Sequence, residues 1–359
     1  MYFRKILNVN ISYNKIITLG VLIRFILLIF VFNFYIPYGP EAPISPLHFQ
    51  RGVDLEIYLD QIFFYTSING IKELYNIFYD IYFLNNDPII RPVGPIYPIF
   101  LFLFDYKVSN TIPFSLFVFA IELASFLVWC NVLKDKLYGF SGILFALMPH
   151  TIWFGLLISS DIFFYFFTTL YFYCTLKKPK LRKNIILLIC LVLILIRPMG
   201  ILFCLGLLFI PRNKVRTKND IYYIKIGVIL ILILSIIFYY PYFLIEQQYL
   251  IKNPNIVSIN EPEFSILIFL KNIMTIFGIH VSASGLVIAE FIRLFYGIIF
   301  IIGFFSILYK EKWVGSMIII AIITISLLLY PTWRYILPFI PLLFVYGINQ
   351  ITKFQKINL

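Results

Sequence analysis

The sequence predicts an all-α membrane protein, a polytopic helical bundle of about ten spans. Three observations predict it. Hydrophobic residues make up 61% of the 359-residue chain and charged residues only 13%, and the mean hydropathy is +0.93. A soluble domain of this length cannot bury so much apolar side chain. The net charge of +12 is dispersed in short basic clusters between apolar runs, the pattern of cytoplasmic loops rather than of a basic face for nucleic acid. The whole chain, 1–359, reads as one transmembrane domain with external loops at 37–110 and 241–284.

The first span is expected over 15–36. Arg4, Lys5 and Lys15 precede it and no small-residue cleavage site follows, so it reads as an uncleaved anchor with a cytoplasmic N-terminus. Residues 37–110 then form the first external loop, with interfacial helices. Spans follow over 111–133, 138–158 and 161–176, separated by Lys134-Asp135-Lys136 inside and Ser159-Ser160-Asp161 outside. The run Lys177-Lys178-Pro179-Lys180-Leu181-Arg182-Lys183 is the most basic loop in the chain and belongs in the cytoplasm.

Residues 184–210 pose a topological problem. At ~1.5 Å per residue the run makes a helix about 40 Å long, enough for one span. Arg212, Lys214, Arg216 and Lys218 follow it, so both flanks are basic, and Arg197-Pro198 sits in the middle. A single span would put one basic cluster outside and an arginine at the bilayer centre, at a cost of roughly 2.5–3.5 kcal/mol. A hairpin of two short helices turning at Arg197-Pro198 avoids the first difficulty. Its arms, about 18–20 Å each, stop below the outer surface. Such a turn is tolerable where it lines a polar cavity inside the protein.

Further spans are expected at 221–240, 286–309, 313–330 and 335–350. Residues 241–264 form a loop with Glu246, Glu261 and Glu263, and 265–284 lie along the interface. The C-terminus is then cytoplasmic, with Lys353 and Lys356. Of the 17 acidic residues only Asp135, Asp220 and Glu311 fall on that side.

Other chemistries find little support. Cys130, Cys174, Cys190 and Cys204 all lie in apolar runs without a CxxC pair, which argues against a disulfide framework or zinc site. His48, His150 and His280 are scattered. No metal site and no cofactor site is read, and a Gly-rich phosphate loop is not visible. Phe and Tyr reach 40 and 26 beside heavy use of Ile, Asn and Lys, as an AT-rich genome would produce. Aromatic richness is therefore not evidence of sugar stacking.

With the topological charges set aside, Asp54, Glu56, Asp60, Arg91, Asp161, Arg197 and Arg334 remain on or near the outer side. Solvation accounts for Glu56, Asp60, Lys72 and Glu73, and snorkelling to headgroups is the ordinary fate of a loop arginine. It fits Arg197 less well, because an ionisable residue within the membrane calls for a function and a partner. Glu122 and Glu290 also lie inside expected spans, where either can pair with a buried arginine. In the first loop, Gly52-Val53-Asp54-Leu55-Glu56-Ile57-Tyr58 is an acidic-aromatic patch, and residues 87–98 read DPIIRPVGPIYP. A carboxylate and an arginine held together at a bilayer surface point to chemistry on a lipid phosphate.

These segments resemble the GT-C superfamily of polytopic glycosyltransferases, which includes the protein O-mannosyltransferases, the lipid A aminoarabinose transferase and bacterial polyprenyl-phosphate-mannose-dependent enzymes. Asp54 and Tyr58 match the family's acidic residue and tyrosine four positions on, and DLEIY is most like the mannosyltransferase branch. Arg91, Pro92, Pro95, Tyr97 and Pro98 match its basic, proline-rich segment, with Val93-Gly94 inserted where a tighter Pro-Pro is common. Asp161 matches the carboxylate at the outer start of a later span, Arg197-Pro198 the turn of a helical hairpin, and Arg334, Tyr335 and Pro338 the Arg-Tyr motif before the last span. No single motif is specific; their order and common sidedness carry the resemblance along nearly the whole chain.

The resemblance implies a GT-C-like fold in the cell membrane, with a mannose-like hexose transferred on the outer face from a polyprenyl phosphate to a lipid, glycan or protein acceptor. The residue chemistry fits. Asp54 is the candidate general base toward the acceptor hydroxyl, with Asp161 second as base or as a group orienting the acceptor or an arginine. Arg91, Arg334 and Arg197, in that order, are candidates for the leaving phosphate, since a guanidinium bonds phosphate oxygens bidentately and stays charged. Tyr58, Tyr97 and Tyr335 complete the expected substrate site. The rival readings are a polysaccharide polymerase and a lipid-linked-oligosaccharide flippase. A polymerase keeps its main basic loop outside, whereas this first external loop is acidic. A transporter commonly repeats its broken helices, and the Pro-interrupted hairpin has no second copy.

Overall fold

The structure, a computed structural model, describes residues 12–35, 96, 100, 112–137, 139–148, 151–152, 160–177, 182–215, 217–252, 266–277, 287–326 and 333–357. The described residues are 93% helical and include no strand. In chain order the α-helices are α1 (Tyr13–Tyr35), α2 (Ile112–Val132), α3 (Gly139–Ala146), α4 (Ser160–Phe172), α5 (Lys183–Ile196) and α6 (Ile201–Leu208). They continue with α7 (Lys218–Lys252), α8 (Ile266–Ile276), α9 (Val287–Lys310), α10 (Lys312–Ser326) and α11 (Ile340–Ile357). The expected interfacial helices of the first external loop lie outside the described residues, apart from Ile96 and Phe100.

Among the described residues three stretches are long and apolar enough to cross a membrane: Pro113–Val132, Lys218–Ile237 and Ile336–Lys353. Shorter apolar helices at Lys183–Ile196, Pro198–Leu208, Leu294–Lys310 and Lys312–Thr324 pack among them. The outward face of α7 leaves Ile226, Leu230, Ile233, Leu234 and Ile237 exposed, which lipid tolerates and water does not. Two expected elements differ in extent. The run 138–158 does not continue as one helix: α3 ends at Ala146, followed by a turn at Leu147 and an uncoiled Met148, just ahead of Pro149, which cannot continue a helix without losing a hydrogen bond. Conversely, α7 does not stop at Pro241 but runs on to Lys252 through part of the expected second loop. It begins in a capping box, the Thr217 hydroxyl accepting from the Asp220 amide at 3.2 Å and the Asp220 carboxylate from the Thr217 amide at 3.1 Å.

One end of the bundle gathers the basic segments. Lys177 pairs with Asp135 at 3.5 Å and Lys183 with Asp220 at 3.4 Å. The Asn349 side-chain amide donates to the Lys136 carbonyl at 3.1 Å, and the Tyr346 hydroxyl donates to Glu311 at 3.0 Å. The ends of α2, α4 and α9, the starts of α5 and α7 and the late turns of α11 therefore share a level.

Helices α9 and α11 run antiparallel in very close contact. A side chain at Gly303 would overlap the Leu343 carbonyl, and one at Gly347 would overlap that of Ile299, the reciprocal small-residue approach that lets membrane helices pack. The centre is aromatic. Phe203 and Phe339 stack with centroids 5.6 Å apart, and Phe172 meets Phe339 edge-on at 5.8 Å. Trp129 lies against Phe172 at 5.4 Å.

Residues 183–208 fold back on themselves. Pro198 disfavours helical backbone for the residue before it, and Arg197 is extended at φ −152°, ψ 143°. Its amide still donates to the Leu193 carbonyl at 3.0 Å, closing α5, and the 3-10 turn Pro198–Gly200 then reverses the chain. Gly200 lies so close to the Leu193–Ile194 backbone that any side chain there would overlap it. The Cys190 and Cys204 side chains, each seven residues from Arg197, lie near each other across the two arms. Helix α7 runs alongside α5 in the same direction: Lys183 meets Asp220 at the base, and the Tyr239 hydroxyl donates to the Ile194 carbonyl at 2.5 Å near the tip. That carbonyl is among those a helix C-terminus leaves without an internal partner.

Candidate functional site

The hairpin carries Arg197 away from the basic end of the bundle. Helix α5 has 14 residues, so its tip stands about 21 Å above the level of Lys183. In a bilayer with a hydrocarbon core of about 30 Å, that is roughly two thirds of the way across. There Arg197 Nη1 meets Asp161 Oδ1 at 2.8 Å, with side-chain exposures of 16% and 6%. Asp161 lies in the first turn of α4, where the unpaired amides of the helix N-terminus favour a carboxylate.

An aromatic floor fixes this corner. Phe163, two residues along α4, stacks on Phe100 with centroids 4.8 Å apart and contacts Phe114 and Phe117 at 6.3 and 5.8 Å. Phe100 follows the segment Arg91–Pro98, and Ile96 within that segment also packs on the core. Phe100 is thereby held against a residue two positions along α4 from Asp161. On another side, the 3-10 segment Trp333–Phe339 packs its backbone against α4 and α8. Helix α8 is tied down by the Asn272 amide, which donates to the Ser326 carbonyl at 2.9 Å.

Of the residues singled out in the sequence, Asp161 and Arg197 are in direct contact. The backbone of Arg334 and Tyr335 belongs to the 3-10 segment that packs on α4. Their side chains, and the whole of Asp54, Tyr58, Arg91 and Tyr97, lie outside the described residues, as does the side chain of Glu290.

The sequence reading passed over Arg24. It lies midway along α1, buried to 1% exposure, and its Nε donates to both carboxylate oxygens of Glu122 at 3.0 and 2.9 Å. Nη1 donates to the carbonyls of Gly20 and Ala146, each at 3.1 Å, and Nη2 to the Thr151 hydroxyl at 3.4 Å. The guanidinium carbon sits 3.8 Å over the Phe126 ring. Arg24 therefore takes up the terminal carbonyl of α3 where that helix breaks, as well as neutralising Glu122. The expectation that Glu122 pairs with a buried arginine is met here. The available signal was one arginine and one glutamate, each alone near the middle of its apolar run.

Comparison with models of known protein families, with characterised proteins and with solved structures found no match.

Proposed function

We propose that this chain is a membrane glycosyltransferase of GT-C type that transfers a hexose, mannose-like by resemblance, from a polyprenyl phosphate to an acceptor hydroxyl on the outer face of the cell membrane. The observation that supports it is the Asp161–Arg197 contact. The resemblance assigns these two residues, 36 positions apart in sequence, to one site, and they meet at a re-entrant tip far from the lysine-rich end. A guanidinium held at such a depth by a carboxylate suits an anionic group carried by a lipid.

In the proposed reaction the acceptor oxygen attacks the anomeric carbon and the bond from that carbon to the phosphate oxygen breaks. Asp54 takes the acceptor proton, and the electron pair of the broken bond leaves on the lipid phosphate. Arg91 and Arg334 stabilise the charge that develops there. Arg197 joins them from below. Asp161 acts as the positioning residue for Arg197 rather than as a base, because an oxygen already bonded to a guanidinium is poorly placed to accept a proton. Tyr58, Tyr97 and Tyr335 shape the donor site. The proposal places both chain ends and the basic end of the bundle in the cytoplasm.

The test is transfer of radiolabel from polyprenyl-phosphate-mannose by the purified protein in vesicles, beside Asp54→Asn. The parent is expected to transfer label, and the variant to lose ~10²–10⁴ in rate, as for removal of a general base. Transfer from a sugar nucleotide but from no polyprenyl-phosphate sugar would sink the reading. Undiminished turnover in Asp54→Asn would remove that residue from the mechanism.

A further inference from the structure

We infer that the basic end of the bundle contains a defined site for the phosphate headgroup of an anionic membrane phospholipid, formed by Lys136, Lys310 and Lys353 around Tyr346. The three lysines come from three segments: the 3-10 turn Lys134–Lys136, the last residue of α9 and the late turns of α11. Lys136 Nζ lies 5.1 Å from the centroid of the Tyr346 ring and Lys310 Nζ lies 5.8 Å from it. Lys353, two helical turns beyond Tyr346 on the same face of α11, is close enough with Lys136 to repel Lys310 electrostatically. Two ammonium groups thus lie over one buried ring, with Lys353 close by.

The scaffold beneath them is fixed. Tyr346 is 5% exposed and Asn349 8%. The Tyr346 hydroxyl is committed to Glu311 at 3.0 Å, and the Asn349 amide holds the Lys136 backbone at 3.1 Å. Glu311 is the carboxylate at the cluster, and none of the three lysines makes an ion pair among the described residues. Ring-face attraction holds the Lys136 and Lys310 ammonium groups in place, but against one carboxylate, Glu311, the repulsion among three lysines is only partly offset. A phosphate bearing negative charge relieves it.

A lipid suits the surroundings better than free phosphate. Leu294, Ile298, Phe305 and Tyr309 form an exposed stripe along one face of α9, with Phe305 at 64% and Tyr309 at 83% exposure. The stripe ends beside Lys310. Acyl chains laid along it would bring their headgroup to the three lysines, with Tyr309 at the level where tyrosines border a membrane.

The test uses the full-length protein in neutral detergent, titrated with cardiolipin, with phosphatidylcholine and with inorganic pyrophosphate. Bound lipid is counted by native mass spectrometry. Cardiolipin is expected to bind the parent in preference to phosphatidylcholine. Lys310→Gln/Lys353→Gln should weaken it about thirty-fold, two lysines at roughly 1 kcal/mol each. Lys214→Gln/Lys218→Gln, at the same end but away from Tyr346, should leave it unchanged. Equal weakening in both double variants would reduce the effect to general surface charge and overturn the site, as would undiminished binding in Lys310→Gln/Lys353→Gln. Displacement of cardiolipin by millimolar pyrophosphate would overturn the lipid assignment. If the double variant does not fold, Lys353→Gln alone is read, with about five-fold weakening expected and none overturning the proposal.

Discussion

Among the described residues two arginine–carboxylate pairs stand out, and they are built differently. Arg24 and Glu122 are each 1% exposed, and the guanidinium is engaged by the carboxylate, two backbone carbonyls, a hydroxyl and the face of Phe126. It sits mid-helix, joining α1, α2 and the broken end of α3. Arg197 and Asp161 are 16% and 6% exposed, and the arginine stands at the chain reversal between α5 and the 3-10 turn Pro198–Gly200. The first pair closes a gap between three helices. The second sets a charge at a chain reversal. Burial alone does not mark a functional arginine; the backbone it stands on, and what surrounds it, do.

The largest effect should come from breaking the sealed pair. Arg24→Met leaves Glu122 buried without a partner and the Ala146 carbonyl without a donor. Removing one member of a buried pair typically costs about 3–5 kcal/mol, so the variant should be recovered mostly unfolded. Arg24→Met/Glu122→Leu removes both charges and should regain much of the loss, since apolar replacements of a buried pair are often neutral. Thermal unfolding in detergent reads both. A stable single variant would mean the pair is not sealed, and the contrast with Arg197 would collapse.

Arg197→Met should behave in the opposite way. It keeps the fold, because Asp161 lies in the first turn of α4, where the unpaired helix amides still favour its carboxylate. Its transfer rate should fall by ~10²–10³, the cost of losing a preorganised donor to developing charge. Arg197→Lys should recover only part, lacking the planar fork, and Asp161→Asn should fall between that variant and the parent. Measuring kcat and donor KM beside thermal unfolding separates the roles. Unfolding as severe as that of Arg24→Met would make the second pair structural too.

Sequence legibility followed the same divide. The Arg197-Pro198 turn was readable because a proline dictates its predecessor's backbone and basic residues flank the run on both sides. Asp161 stood out as a charge at the start of an apolar run. Their contact was not readable, since it depends on how α4 packs against α5. Arg24 was overlooked because nearby Arg4, Lys5 and Lys15 account for topology without it, while Glu122 was noticed without its partner. The break in α3 was hidden by apolar composition that continues past Ala146, although Pro149 was in view. The span expected at 221–240 was too short: its helix runs on through Pro241 to Lys252, a long helix absorbing the one hydrogen bond a proline removes.

The smallest functional effect should come from locking the hairpin that distinguishes Arg197 from Arg24. Cys190 and Cys204 are equidistant from Arg197 in sequence, and their side chains lie near each other between the arms. On one continuous helix they would stand 14 residues apart, about 21 Å along the axis, beyond the reach of any disulfide. A membrane-soluble oxidant such as copper phenanthroline should therefore join them within one chain, and peptide mass mapping should find the linked pair. Cys204→Ser should abolish the product. Because the two arms already touch, the link asks for little movement, and transfer activity should change less than two-fold, well below the losses expected of Arg197→Met. Failure of Cys190 and Cys204 to join, with Cys174 oxidising normally as a control, would restore the single-span reading. Arg197 would then lie mid-helix like Arg24, and the difference between the two pairs would need another cause.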